Sequence, residues 1–600
     1  MTYWFNDPLT LFKAMSAVFD AKTSNSPSSD VSKNDRYDRQ LRLWGDDGQL
    51  HLENSKVCLV NATATGTEIL KSLVLPALGS FTIVDDNKVN DEDVSKNFFI
   101  DSASVGKSRA KVATQLLLEM NSDVRGDYVE ESVESLLRTD PLFFKNFTVV
   151  IATSFWNEKT LVKLSELLWD ENIPLLVCNS YGFIGYIRLQ IPQHISIDSH
   201  PDNFLEDLRL DKPFSGMFFM FIICFHWSAS NYLELKTFFE QNMDLETRSR
   251  KDIAHTPYLI LLYKYLKQWQ QEKGMSDDCL PSNYREKSEL KSIINEAMKK
   301  LKTTKMSENE IERELELENF DEAMKAVNKM LVPSNYIPKE TKQILEHSLV
   351  SDVIKKKTRN NQFWLLVKAL VDFISNKNDG CLPLRGSIPD MTADSERYIK
   401  LQKIYVTKAT EDVYSLQVCL QEACNTFGIP CEVSDNILKK FCKNAHCLRV
   451  VETSSIASEF CVNYETTNET MTKLRQTLST SDLNGDGGNE LIFYLMLRSV
   501  MRFVTLYNRF PGADEVEADI NLLKCCFKEL LNEFGFQNLS KDDFIHEMCR
   551  YGGCELSSVA AFIGGCAAHE VIKLIIGQYV PVNSTFIYNA MTSTTATYNW

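Results

Sequence analysis

The loop of residues 60–68 constrains the fold of this 600-residue chain more than any other segment. An apolar stretch before the loop predicts a buried strand over 56–61, and helical spacing of apolar residues follows over 66–78. In dinucleotide-type folds, a strand and a helix flank a glycine-rich G-x-G-x-x-G turn, and the bare backbone of that turn faces the phosphates. The order of the elements therefore predicts the strand, turn and helix that surround a nucleotide-binding site.

Most of the glycines that such a turn needs are missing here. Only Gly66 remains, while Asn61, Thr63 and Ala64 place side chains in the path of a phosphate. The acidic Asp85 lies about 20 positions beyond the loop, where such folds hold a ribose. We therefore predict a nucleotide-type fold whose phosphate cradle is filled.

Strand and helix patterns alternate through the first part of the folded chain, from residue 35 to 188. The predicted elements are strand 56–61, helix 66–78, strand 81–85, helix 105–121, strand 147–152, helix 157–171 and strand 174–178. Such alternation implies right-handed crossovers and a mostly parallel sheet with helices on both faces. The predicted fold class is α/β, a Rossmann-like doubly wound domain.

The rest of the chain divides into three further parts. Residues 1–34 read as a flexible polar lead, and residues 189–545 carry long amphipathic patterns that predict a large, mainly helical insertion. The last part, 546–600, contains an apolar helix over 557–576 and strand-like stretches that would complete the sheet. We therefore expect one α/β domain that is split by the insertion.

A short apolar run inside the segment 215–232 interrupts the polar surroundings. It is far shorter than the roughly 20 residues that cross a bilayer. It is either a buried helix or loop, a contact with a partner, or an extra segment from an imperfect gene model. We favour the last of these.

The net charge and the spacing of the cysteines exclude some kinds of binding partner and metal site. The net charge of -16 repels phosphate backbones, so we expect no nucleic acid partner. The 16 cysteines contain no C-x-x-C pair, which predicts reduced thiols and no zinc site. Residues 1–22 match neither a signal peptide nor a membrane span. We expect no membrane association and a location in the cytoplasm, the nucleus, or both.

Several motifs resemble the activating enzymes for ubiquitin-like modifiers, whose adenylation domains share a fold with bacterial adenylyltransferases. The motifs are Tyr37–Gly45, Val84–Asp86, Gly386–Met391, Tyr398–Gln402 and His546–Gly552. Within that family, they are most similar to the regulatory subunits of the heterodimeric neddylation activating enzymes. The resemblance extends from about residue 35 to 600 and implies an adenylation-type fold.

The resemblance also implies that this chain lacks much of the catalytic equipment. Active relatives carry an arginine where Asn97 stands, and a magnesium-binding aspartate where residues 152–157 show no carboxylate. Arg109 takes the place of a phosphate-binding lysine, and Asp85 keeps the ribose position. We attribute Arg109 and Asp85 to packing and capping rather than to residual nucleotide binding.

Arg39 has a different implied role. In two-subunit relatives, the arginine of the opening segment reaches the phosphates in the partner's site and stabilises charge there. The resemblance places this role on Arg39. The alternative is an ordinary salt bridge on the surface.

Active relatives carry a thioester-forming cysteine in the region of the insertion. Cys381 and Cys442 are the candidates here, and neither stands in a recognisable catalytic motif, so we expect structural thiols. The chain would contain no catalytic residue, no metal and no cofactor. ATP and magnesium would be held by a catalytic partner subunit in a heterodimer that also receives the ubiquitin-like modifier.

The resemblance therefore implies a non-catalytic regulatory subunit that is required by an ATP-dependent activating enzyme for the neddylation modifier. Three alternatives remain. The chain could serve a sumo-type modifier, although its insertion is far longer than in those subunits. It could also be a self-sufficient adenylyltransferase, or a scaffold without enzymatic partners.

Overall fold

A computed structural model describes residues 28–154, 157–202, 204–214, 235–303, 317–351, 360–460, 469–481, 490–513, 515–536 and 539–600. The chain folds into two compact units: unit 1 contains Met1–His194 and Glu452–Trp600, and unit 2 contains Ile195–Val451. The first 27 residues of the predicted lead and the segment 215–232 lie outside the described residues.

Unit 1 is built on an eight-stranded sheet with the order β10-β9-β6-β5-β4-β1-β2-β3. Its strands are β1 Lys56–Val60, β2 Ser80–Val84, β3 Arg125–Val129, β4 Val149–Thr153, β5 Leu175–Tyr181, β6 Ile184–Gln190, β9 Thr585–Asn589 and β10 Thr594–Tyr598. Two further strands, β7 His194–Ser196 and β8 Arg449–Val451, pair separately. Strands β1 to β5 run parallel, and β6, β9 and β10 add an antiparallel extension. The final segment therefore returns to the sheet, as predicted.

Helices cover both faces of this sheet. They are α1 Ser28–Glu53, α2 Ala64–Val74, α3 Asp91–Lys96, α4 Arg109–Leu118, α5 Val133–Thr139, α6 Glu158–Asp170, α17 Glu469–Thr480, α18 Leu491–Tyr507, α19 Val516–Phe534, α20 Asp542–Tyr551 and α21 Ser557–Ile576. Along β1, Val57 and Leu59 join the core under α2, α4 and α21, while Cys58 and Val60 join the core under α6, α18 and α19. Because alternate residues of a strand face opposite sides, a continuous apolar strand is buried on both faces. The predicted doubly wound α/β fold is confirmed.

The return to unit 1 begins earlier than expected. The amphipathic patterns predict an insertion that extends to residue 545, but the helices between 469 and 534 pack in the core of unit 1. Helix α18 is buried on nearly its whole circumference, because its apolar side chains fill the space over the sheet. Amphipathic spacing identifies such helices but does not say which core they join.

The start of the chain also differs from the expectation. Residues 28–34, assigned to the flexible lead, form the first turns of α1, which is kinked at Gly45. These turns are polar and continue a helix whose apolar anchor lies further along, at Tyr37. Because residues 28–34 lack apolar residues at helical spacing, the sequence pattern does not predict a helix there.

Unit 2 is mainly helical, as predicted for the insertion. Its helices are α7 Leu235–Asn242, α8 Arg250–Ala254, α9 Tyr258–Lys273, α10 Tyr284–Thr303, α11 Glu318–Ala326, α12 Lys339–Leu345, α13 Ser348–Ser351, α14 Asn361–Asn376, α15 Ser395–Phe427 and α16 Asp435–Lys443. One apolar core gathers around α9 and the first half of α15, and a second gathers around α14 and the second half of α15.

Helix α21 is long and apolar enough to cross a membrane. Its buried side chains, among them Ile563, Ala567 and Val571, instead pack into the core of unit 1. Gly564 lies against α2, where a Cβ would approach the Cβ of Glu68 to 2.6 Å. Its small residues thus allow two core helices to pack closely.

Candidate functional site

The degenerate loop turns sharply between β1 and α2. Asn61 adopts a left-handed conformation with φ 66, and its Nδ2 donates to the carbonyl of Thr153 over 3.0 Å. A short amide side chain tolerates this conformation better than most. The loop side chain that the sequence places in a phosphate path thus fastens the loop to the end of β4.

Thr63 starts α2 as its N-cap, and its hydroxyl accepts a hydrogen bond from the amide of Gly66. The same hydroxyl lies 3.2 Å from the Thr153 hydroxyl, which donates to the carbonyl of Asn61 over 2.7 Å. At Gly66, a Cβ would lie only 2.8 Å from that carbonyl oxygen. Close packing of the helix on the loop therefore accounts for the one glycine that remains.

The carboxyl group of Glu555 lies at the N-terminus of α2. Its Oε2 accepts from the amide of Ala64 over 3.0 Å, and its Oε1 accepts from the Thr65 hydroxyl over 3.1 Å and the Ser154 hydroxyl over 3.4 Å. Glu555 is buried, and burial raises the pKa of this carboxyl group. Helix N-termini favour negatively charged groups, because amide hydrogens without a helical partner point outward there.

Sequence reasoning missed Glu555. It is 490 positions from Thr65 along the chain, so no local spacing connects the two residues. One sequence feature could have pointed to Glu555: this acidic residue lies just before the apolar helix α21, in the segment that returns to the sheet.

Asp85 is occupied by partners from its own chain. Its carboxylate accepts from Arg109 Nε over 2.7 Å and Nη2 over 3.2 Å, and from the amide of Ala62 over 2.8 Å. Asn87 donates to it as well, through its amide nitrogen and its side chain. The oxygens that a ribose would need are thus engaged.

Arg109 bridges two acidic residues at the start of α4. Besides Asp85, its Nη1 donates to Asp93 over 3.1 Å. Burial alone would lower the pKa of Arg109, but the carboxylates of Asp85 and Asp93 outweigh it and raise the pKa. The guanidinium therefore stabilises the packing of α3 and α4 rather than pointing toward a ligand.

Asn97 is buried where the resemblance implies an arginine. Its Oδ1 accepts from the Thr67 hydroxyl and from the amide of Phe99, each over 3.1 Å. The next side chain, Phe98, is 88% exposed. An inward amide and an outward aromatic ring thus stand side by side.

The sequence-predicted residues of the degenerate site converge in unit 1, but their donors and acceptors serve one another. The amides of Ala62 and Ala64, which would face a phosphate, donate to Asp85 and Glu555. In the part of the chain that the structure describes, no group of three or more His, Cys, Asp or Glu side chains is placed to hold a metal ion. Two of the loop amides and the Asp85 carboxylate are therefore engaged within the chain rather than open to a nucleotide.

Arg39 lies apart from this network, on α1. Tyr37 is buried and donates to Asp123 over 2.7 Å, and Gln40 donates to the carbonyl of Pro76 over 2.9 Å. The side chain of Arg39 is 90% exposed, and its closest carboxylate among the described residues, that of Asp38, is 4.0 Å away. The two inward residues fix the helix, and Arg39 points into solvent.

The two cysteines considered as nucleophiles lie in unit 2. Cys381 and Cys442 are both buried, and burial raises the pKa of each thiol. A nucleophilic cysteine needs a lowered pKa and access to substrate. Neither residue has these properties.

The chain was compared with known proteins. A model of the ThiF family matches residues 37–599. The chain is 44% identical over 571 residues to the NEDD8-activating enzyme E1 regulatory subunit of Danio rerio, and the match covers 95% of this chain and 99% of that one. It is also 44% identical to the protein of that name from Gallus gallus, with 94% and 98% covered, and 40% identical to the one from Drosophila melanogaster, with 95% and 97% covered.

Proposed function

The chain belongs to the ThiF family and, within it, to the regulatory subunits of NEDD8-activating enzymes, and from this membership we propose how it divides the work with a catalytic partner. Such a subunit is a required part of an ATP-dependent activating enzyme in protein neddylation, and it is not an enzyme on its own. In our proposal, the partner subunit holds ATP and magnesium and carries out adenylation and thioester formation. This chain contributes structure and one cation to that site.

The observation that carries this proposal is the contrast between the closed loop and the exposed Arg39. The loop amides of Ala62 and Ala64 donate to carboxyl groups of the same chain, so these two donors are engaged within the chain. Arg39, in turn, is anchored by its neighbours and faces solvent with its guanidinium. An exposed guanidinium on a fixed helix is suited to bind phosphate oxygens of a second molecule.

Arg39 would act during adenylation. When the carboxylate of the modifier attacks the α-phosphate of ATP, negative charge accumulates on the phosphate oxygens. A guanidinium supplied by the other subunit stabilises that charge without taking part in a covalent step.

We also propose the remaining partners and the location. The ubiquitin-like modifier would bind to the heterodimer, and nucleic acid and membranes would not be partners, in keeping with the net charge of -16. The enzyme would act in the cytoplasm and the nucleus.

The test is Arg39→Ala in the assembled heterodimer. We expect heterodimer formation to be unchanged and the rate of adenylate formation to fall by about 10³-fold, the lower end of the range for arginines that act in trans. Rapid-quench measurement of the modifier adenylate gives the rate, and size-exclusion chromatography gives the assembly.

The matched control is Arg42→Ala, on the same helix. Arg42 is also exposed, but its Nε already pairs with Asp38 at 3.0 Å, and we assign it no role at the partner's site. Equal rates for the Arg39 variant and the unchanged chain would refute the role in trans.

A further inference from the structure

We propose that Glu555 is an internal ligand: its carboxyl group takes the place of a bound anion at the N-terminus of α2 and keeps the degenerate loop closed. This inference concerns the chain by itself and goes beyond its proposed role in the heterodimer. The chain would thus supply its own anion to a site that its fold predisposes to bind one.

The contacts of Glu555 are those of a bound oxyanion. One oxygen accepts from the Ala64 amide in the first turn of α2, and the other accepts from hydroxyl groups on Thr65 and Ser154. The Thr65 hydroxyl also lies 2.9 Å from the Ser180 hydroxyl, so β5 joins the network. A helix N-terminus with converging hydroxyl donors is a common way to bind phosphate or carboxylate groups.

The backbone near Glu555 is fixed, so the carboxyl group is held in place rather than swinging. Residue 555 forms a parallel β-bridge with Gly182, and the Gly182 amide donates to the carbonyl of Cys554 over 2.8 Å. A Cβ at Gly182 would lie 2.4 Å from the ring of Tyr551, which shows how closely this turn is packed. Helix α21, which follows Glu555, packs directly on α2.

The network also links two distant parts of the sequence. Ala64 and Glu555 are 491 positions apart, yet they share a buried hydrogen bond in the first turn of α2. Removal of the carboxyl group would leave the buried amide of Ala64 without its acceptor, at the positive end of a helix. Such a vacated site should bind a small carboxylate from solution.

The experiment is chemical rescue of Glu555→Ala in the full-length chain. The alanine lacks the atoms that acetate replaces, so acetate is the probe, and acetamide, which has the same shape without charge, is the control at matched ionic strength. We expect the substitution to lower the melting temperature and acetate to restore about half of the loss, while acetamide restores none. The melting temperature of the unchanged chain should not respond to acetate.

A second variant distinguishes loss of the Glu555 carboxyl group from loss of a single hydrogen bond to it. Thr65→Val removes one hydroxyl but keeps the carboxyl group, so it should lower the melting temperature without any recovery in acetate. If Glu555→Ala is insoluble, the readout is its yield on refolding from urea, which should be higher in acetate than in acetamide.

Equal melting temperatures, or equal refolding yields, in acetate and acetamide would overturn the proposal. That outcome would leave the role of Arg39 untouched, because the adenylation assay reports on the partner's site. Loss of the Arg39 effect would in turn leave the rescue of Glu555→Ala unaffected.

Discussion

The loop at the start of α2 and the helix that carries Arg39 are two parts of one nucleotide-handling frame, and they differ in where their polar groups point. Around the loop, Asp85 and Asn97 are buried and hydrogen-bonded within the chain. On α1, Tyr37 and Gln40 point inward and Arg39 points into solvent. The polar groups around the loop are engaged within the chain, whereas the guanidinium of Arg39 is exposed.

This difference follows from the cost of burying polar groups. A buried donor or acceptor without a partner destabilises the fold by about 1–3 kcal/mol, so buried polar groups around the loop need partners within the chain. Glu555 and Arg109 supply those partners here. An exposed arginine is solvated by water and has no such requirement.

The largest effect is expected from Asp85→Ala, which tests whether the closed site is structural. The change leaves Arg109 and the amide of Ala62 buried without their main acceptor. We expect the free energy of unfolding to fall by about 3 kcal/mol, because the buried guanidinium of Arg109 keeps only Asp93 as a charged partner among the described residues and the Ala62 amide loses its acceptor. Urea unfolding followed by circular dichroism measures it.

Its matched control is the next residue. Asp86 is exposed, so Asp86→Ala should change the free energy of unfolding by no more than about 0.5 kcal/mol. If both variants unfold at the same urea concentration, the inward carboxylate has no special structural role and the comparison fails.

An intermediate effect is expected at Phe98, beside the closed site. Large exposed aromatic side chains are typical of protein interfaces, where they contribute strongly to affinity. We expect Phe98→Ala to weaken binding to the catalytic subunit by about tenfold, as measured by calorimetry. The reason is loss of apolar burial in the heterodimer.

Tyr284 provides the control, because its exposure of 89% matches the 88% of Phe98 and it lies on α10 in unit 2. Tyr284→Ala should leave the affinity unchanged. Similar losses for the two variants would indicate that exposure alone, and not position next to the closed site, determines the effect.

The sequence predicts the central parallel strands of the sheet well and the edge strand β3 poorly. Strands β1, β4 and β5 contain the apolar runs 57–60, 149–152 and 175–178, because both of their faces are buried. Strand β3, at the edge, alternates exposed and half-buried residues with the sequence RGDYV, and we did not predict it. A polar edge strand carries little of the apolar signal on which such predictions depend.

The sequence also predicts only part of the candidate site. The missing glycines at Asn61, Thr63 and Ala64 are visible in the sequence, and they predict a filled cradle. What fills it is not visible, because Glu555 reaches α2 only through the return of the chain to the sheet. The role of Arg39 came from the resemblance, and local periodicity carries no information on it.

The central claim is that this chain contributes to an ATP site without holding ATP itself. Calorimetric titration of the isolated chain with ATP and magnesium tests it most directly. We predict no binding heat for the isolated chain and clear binding for the heterodimer. Tight, magnesium-dependent binding of ATP by the isolated chain would contradict the account.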